Sequence, residues 1–81
     1  MGFSVYVLKS ESGSRSYIGH SKDLLKRICE HNIGKSKATR GKGPWKLVYS
    51  EEYKSRSDAS KREKYFKTVE GRIELKKKGI L

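Results

Sequence analysis

Residues 17–32 constrain the fold of this chain more than any other stretch. They read Tyr17-Ile18-Gly19-His20-Ser21-Lys22-Asp23-Leu24-Leu25-Lys26-Arg27-Ile28-Cys29-Glu30-His31-Asn32. An aromatic and a β-branched residue run into a glycine in the manner of a strand end, and then the period changes. Leu24, Leu25 and Ile28 recur at helical spacing and form one apolar stripe of a helix over 21–33. Ser21 is placed to cap that helix, Asp23 falls in its first turn against the positive end of the dipole, and Gly34 is placed to end it. Arg27 and His31 stand four apart, so they leave neighbouring turns on the same side. The stretch therefore puts a tyrosine at a strand end and an arginine and a histidine on one helix face.

The flanking segments follow from the same periodicities. Phe3-Ser4-Val5-Tyr6-Val7-Leu8 is rich in β-formers, with Phe3, Val5 and Val7 on one face and Tyr6 and Leu8 on the other. Glu11-Ser12-Gly13-Ser14 is a turn cluster, so this strand folds back on the one ending at Gly19 and brings Tyr6 near Tyr17. Residues 35–44 have the composition of a mobile, solvated loop carrying Lys35, Lys37, Arg40 and Lys42. Trp45–Tyr53 reads as a third strand with Trp45, Leu47, Tyr49 and Tyr53 on one face, interrupted by Glu51. Ser55 or Ser57 caps a second helix through Lys67. Gly71 breaks the pattern, and Arg72–Lys78 forms a short basic helix with Ile73 as its inward anchor. The order is ββαβαα: an α+β fold, a small three-stranded antiparallel sheet flanked by helices, as one domain over 1–81.

Charge narrows the partner. Twenty Lys and Arg against nine Asp and Glu leave a net charge of +11 on 81 residues. Self-repulsion of that size points to a polyanion, with DNA first and RNA as the alternative. A membrane is disfavoured, since no basic helix carries a large apolar face and no stretch is long enough to span a bilayer. Cys29 is the only cysteine. It excludes an intramolecular disulfide, reads as a small core hydrophobe, and fits a cytoplasmic protein.

Tyr17-Ile18-Gly19 spells YIG, and Val5-Tyr6-Val7 lies where a GIY-type triplet would, its tyrosine eleven positions before Tyr17. Arg27, His31 and Glu63 follow in order. In this the chain resembles GIY-YIG nuclease domains, found in homing endonucleases and at the N-terminus of UvrC-type repair nucleases. It is most similar to short stand-alone bacterial members, through Pro44-Trp45, Leu47-Val48-Tyr49 and Arg62-Glu63-Lys64. The first triplet departs from the pattern, reading VYV with its tyrosine kept. The resemblance implies a DNA endonuclease using one Mg²⁺ or Mn²⁺ held by Glu63, with Tyr6 as general base.

The chemistry of each residue stands beside that resemblance. Cutting a phosphodiester needs a deprotonated water, a stabiliser of phosphoryl charge, and help for the departing oxygen. Glu63, four after Ala59 and three before Phe66, falls on the inward side of the second helix, where a charge needs a partner. One carboxylate with waters and phosphate oxygens suits Mg²⁺. Ser60-Lys61-Arg62-Glu63 equally matches a capping box. Arg27 offers a planar fork for the scissile phosphate, or is a surface charge. A tyrosine base, with its free pKa of about 10, needs a cationic neighbour, which Lys9 supplies if the strand bends there. Tyr17 positions water or phosphate, or shares the base role; the alternative for both tyrosines is hairpin packing. His31 accepts a proton from Tyr6, binds phosphate, or is a satisfied helix histidine. His20 reads as a surface or strand-end residue. Lys9, Lys35, Lys37, Arg40, Lys42 and Arg72 are the expected nucleic-acid contacts. A binding module without catalysis is the rival reading, and a partner protein that supplies targeting is a third.

Overall fold

β1 (Phe3–Ser10) is the middle strand of a three-stranded antiparallel sheet, between β2 (Ser16–Ser21) and β3 (Trp45–Tyr53). The computed structural model describes residues 2–13, 15–37 and 39–81; Ser14, the last residue of the expected turn cluster, lies outside them. Three helices complete the order ββαβαα: α1 (Leu24–Asn32), α2 (Arg56–Phe66) and α3 (Val69–Lys77). A central strand covered on both sides must be apolar on both, and Val5, Tyr6, Val7 and Leu8 are all buried. The alternation expected from sequence holds. Val5 and Val7 join Ile18, Ala59, Phe66 and Leu75 beneath α2 and α3, while Tyr6 and Leu8 join Trp45, Leu24 and Ile28 beneath α1.

Several local expectations give way to packing. Asp23, not Ser21, caps α1, its carboxylate accepting from the Lys26 N–H at 3.2 Å; Ser21 instead bonds Asp23 through an exposed turn. Beginning at Leu24, the helix turns Leu24, Ile28 and His31 to the sheet and leaves Leu25 and Cys29 outside. Leu25 is 80% exposed, so Cys29, one turn on, is no core hydrophobe either. In β3 the pairing slips between Val7 and Leu8, so Val7 pairs with Tyr49 and Leu8 with Leu47. This bulge at Val48 reverses the facing: Trp45 packs on the α1 side and Tyr49 and Tyr53 on the α2 side. The expected single face of β3 is thus two half-faces.

Glu51 does not interrupt the second of these; it fastens it. Arg62 donates to both of its oxygens at 2.9 and 3.2 Å, Tyr53 donates at 2.6 Å, and Tyr49 donates as well. Arg62 also donates to Glu74 at 2.6 Å, so one guanidinium ties β3, α2 and α3 together. Burial alone would raise Glu51, yet the bonds from Arg62, Tyr49 and Tyr53 hold its pKa down at about 2. A carboxyl depressed in the folded state stabilises above its ordinary value of 4.5 and loses that contribution as pH falls towards 2. Acid unfolding monitored by circular dichroism should therefore show a loss on the order of 3 kcal/mol across that window, absent in Glu51→Gln.

Gly71 is inside α3 rather than a break before it. The break is at Lys67–Thr68, where the Thr68 hydroxyl accepts from the Gly71 N–H at 3.1 Å. A Cβ on Gly71 would stand 2.0 Å from the Tyr65 carbonyl oxygen and 2.6 Å from the Phe66 Cα. Only a glycine lets α3 cross so close to the end of α2. Starting the helix at Val69 also makes Leu75 the inward anchor, fully buried, and leaves Ile73 47% exposed. Gly71→Ala forces backbone apart and should cost at least about 3 kcal/mol in urea unfolding, beyond ordinary overpacking.

Candidate active site

The register decides which side chains meet. Tyr6 pairs with Gly19 and Leu8 with Tyr17, so both tyrosines and the glycine face α1. Val5 pairs with His20, so His20 faces α2. The Tyr6 and Tyr17 rings lie 6.3 Å apart. Gly19 makes room for both: a Cβ there would stand 2.8 Å from the Tyr6 hydroxyl and 3.0 Å from the Tyr17 ring. The glycine of the YIG triplet is thus required by the phenols on either side of it.

α1 brings His31 under the sheet at 2% exposure. Burial first, then the neighbouring Tyr17, push the Tyr6 phenol up to about 12, against the Arg27 guanidinium beside it. A phenol so held keeps its proton and donates it to His31 Nε2 at 2.9 Å. The imidazole proton then sits on Nδ1, which donates to the Thr39 hydroxyl at 2.7 Å. Burial, and next the Arg27 charge, lower the His31 pKa and keep the ring neutral. Arg27 itself loses hydration but stays charged, held by Glu30 at 3.1 Å and by the Tyr6 phenol. Tyr17 closes the group, its ring 4.7 Å from that of His31.

The connection expected to be mobile is what completes this chain of bonds. Thr39 is 1% exposed, its carbonyl accepts from the Trp45 indole at 3.2 Å, and Asn32 holds the Trp45 backbone at 2.7 and 3.1 Å. Arg40 turns back to donate to the Gly34 carbonyl at 2.8 Å. The connection is fastened to α1 and β3 rather than solvated along its length.

Glu63 reaches the same strand from the other side. Its Oε1 accepts from His20 Nδ1 at 2.5 Å and its Oε2 from Lys67 Nζ at 2.7 Å. Burial favours the neutral acid, but Lys67 and His20 outweigh it and keep the pKa below the ordinary carboxylate value. Ser55, not Ser60, caps α2, so Glu63 is in no capping box. The tyrosines, Arg27 and His31 therefore lie on the α1 face and Glu63 on the α2 face, around the outer edge of β2. Glu63 is near enough for its charge to act on the Tyr6 phenol.

At that edge a cleft of about 280 Å³ is lined by Lys22, Asp23, Lys26, Arg27 and Glu30 from one side and by His20 and Arg56 from the other. None of the six expected nucleic-acid contacts lines it. Lys35, Lys37 and Lys42 are exposed beyond the end of α1, and Arg72 is exposed on α3. Lys9 pairs with Ser16 and Lys46 at the far end of β1, so Arg27 and not Lys9 is the cation at Tyr6. Lys26, beside Arg27 on α1, was a readable signal; Lys22, ahead of the cap, and Arg56, His20 and Thr39 carried none. A larger hollow of about 710 Å³ lies between Ser4, Ser50 and Glu52 and the start of α1, and Lys22 and Asp23 line both it and the smaller cleft.

Among the described residues no three His, Cys, Asp or Glu side chains gather into a metal cage. Glu63, beside the cleft-lining His20, offers one ionised carboxylate, and Asp23 and Glu30 line the cleft itself. That fits a hard cation such as Mg²⁺, which keeps several waters and takes its other ligands from substrate phosphate.

A family model described as the GIY-YIG catalytic domain matches residues 2–78. The chain belongs to the GIY-YIG family. GIY-YIG domains are those of a nuclease superfamily whose members are generally endonucleases and typically use a divalent metal. This GIY-YIG chain is similar to a UPF0213 protein of Staphylococcus epidermidis, 42% identical over 73 residues that span 89% of this chain and 88% of the relative. A UPF0213 protein of Clostridium perfringens is 47% identical over 66 residues, 80% of this chain and 70% of the relative. The solution NMR structure of a UPF0213 protein from Bacillus halodurans shares the fold at a TM-score of 0.54, with 35% identity over 93% of this chain and 82% of that one. Among the described residues, no helix is long and apolar enough to cross a membrane.

Proposed function

We propose that this GIY-YIG protein is a Mg²⁺-dependent DNA endonuclease making single-strand or structure-dependent cuts that leave 5′ phosphates. The observation that carries the reading is the Tyr6–His31 hydrogen bond with Arg27 beside the same phenol, because it gives a protonated tyrosine somewhere to send its proton. Glu63 would hold the cation, which supplies Lewis-acid stabilisation to the phosphoryl and departing oxygens. The Tyr6 oxygen takes a proton from the attacking water as its own passes to His31 Nε2. The resulting imidazolium keeps its Nδ1–H on Thr39. Arg27 turns its fork to the phosphoryl oxygens, where negative charge builds in the transition state. Tyr17, half-buried and against both rings, orients the water.

Lys22, Lys26 and Arg56 would track the phosphates on either side of the scissile one. Converting the three to alanine should flatten the dependence of log affinity on log salt by about 2–3 for duplex DNA, read by fluorescence anisotropy. The same treatment of Lys35, Lys37 and Lys42 should change it less. The decisive experiment offers duplex, flap, branched and single-stranded DNA with Mg²⁺ or Mn²⁺, and looks for 5′-phosphate ends. Binding without cutting any of them would make the protein a non-catalytic nucleic-acid module. Cutting that appears only when a targeting partner protein is added would keep the chemistry and move specificity to the partner.

A further inference from the structure

Glu63 is gripped by two groups of unlike character. His20 is a short, stiff ring on β2, directly after Gly19, and its bond to Oε1 lies where both side chains are largely covered, 20% and 18% exposed. Lys67 approaches Oε2 from one turn along α2 on a flexible stem that is 50% exposed. Releasing Oε2 costs little, since a half-exposed lysine regains hydration when it leaves. Releasing Oε1 would strip a half-buried histidine and carboxylate of each other.

We propose that His20 is a positioning residue for Glu63 and that Lys67 stands in for the cation. His20 fixes Oε1 and so sets the direction of Oε2, while the Lys67 ammonium occupies the ligand position until a divalent ion replaces it. The inference rests on Glu63 being the cation ligand, as proposed above. It also explains why a carboxylate on the α2 face can serve phenols on the α1 face. His20 belongs to the same strand as Tyr17 and Gly19, so the bond sets Glu63 against the element that carries the tyrosines. Outer partners of a metal ligand act in this way, by orienting it.

The test is manganese binding by the intact protein without DNA, read from paramagnetic broadening of amide resonances around residue 63 during titration with MnCl₂. His20→Ala should weaken binding by about tenfold or more. His20→Asn, whose Nδ2–H stands near the place of Nδ1–H, should restore most of it, which a merely structural role would not predict. Lys67→Met keeps the stem, removes the competing charge, and should tighten binding severalfold. Wild-type affinity in His20→Ala, or weaker binding in Lys67→Met, would overturn the proposal while leaving Glu63 as ligand. Absence of any broadening near residue 63 in the wild type would overturn both.

Discussion

Glu63→Gln should abolish Mg²⁺-dependent cleavage while leaving DNA affinity within about twofold of wild type, since no phosphate-contacting cation is touched. The amide keeps the length of the side chain and a carbonyl that can still accept from His20 Nδ1. What it loses is the negative charge, on which a hard cation depends. Removing a Lewis acid from phosphoryl chemistry forfeits several kcal/mol of transition-state stabilisation, so the rate should drop by about 10³-fold or more. Single-turnover cleavage with saturating enzyme separates this from a binding defect. A variant that still cuts within about tenfold of wild type would remove Glu63 from the reaction.

Tyr6→Phe should lower the rate by about 10²–10⁴-fold, the range of a lost general base. The ring still packs against Leu8 and Trp45, so the fold persists. Losing the hydroxyl leaves His31 Nε2 buried without its donor, at a cost of about 1–3 kcal/mol that denaturant unfolding would register. The pH profile is the sharper readout. His31 must be neutral to accept the Tyr6 proton, and its pKa is held below the ordinary value of 6.5 by burial and by Arg27. Wild-type activity should accordingly be full at neutral pH and decline only as pH falls below about 6.5; Tyr6→Phe should lack this acid limb. Tyr17→Phe leaves the Tyr6–His31–Thr39 chain whole and should cost less, which distinguishes the two tyrosines.

Each part of the site was legible to the degree that it depends on neighbours along the chain. Strict alternation in Phe3–Leu8 was enough to sort Tyr6 and Leu8 from Val5 and Val7, because strand geometry puts successive side chains on opposite faces whatever lies beyond. The turn at 11–13 then made the Tyr6–Tyr17 approach a local consequence. The Arg27–His31 spacing placed both on one side of α1, though only packing shows that His31 is sealed under the sheet while Arg27 stays at the rim. The element order ββαβαα and the bounds of β3 were readable for the same reason.

What sequence could not reveal depended on approaches between distant segments. The bulge at Val48 exists only relative to β1, so it could not be seen in β3 alone. Gly71 looks like a helix breaker until α2 is laid 2.0 Å from the place its side chain would fill. Thr39 sat in a polar stretch indistinguishable from solvent-facing loop, yet it closes the hydrogen-bond chain behind Tyr6.

The amino-acid order by itself determined the elements, the faces of the hairpin and which residues could do phosphate chemistry, since these follow from backbone periodicity and side-chain type. Tertiary structure alone decided that His20 meets Glu63 and that Arg56 joins Lys22 and Lys26 at one cleft. Those partners come from segments thirty or more residues apart, and only the burial of α2 against the sheet brings them together.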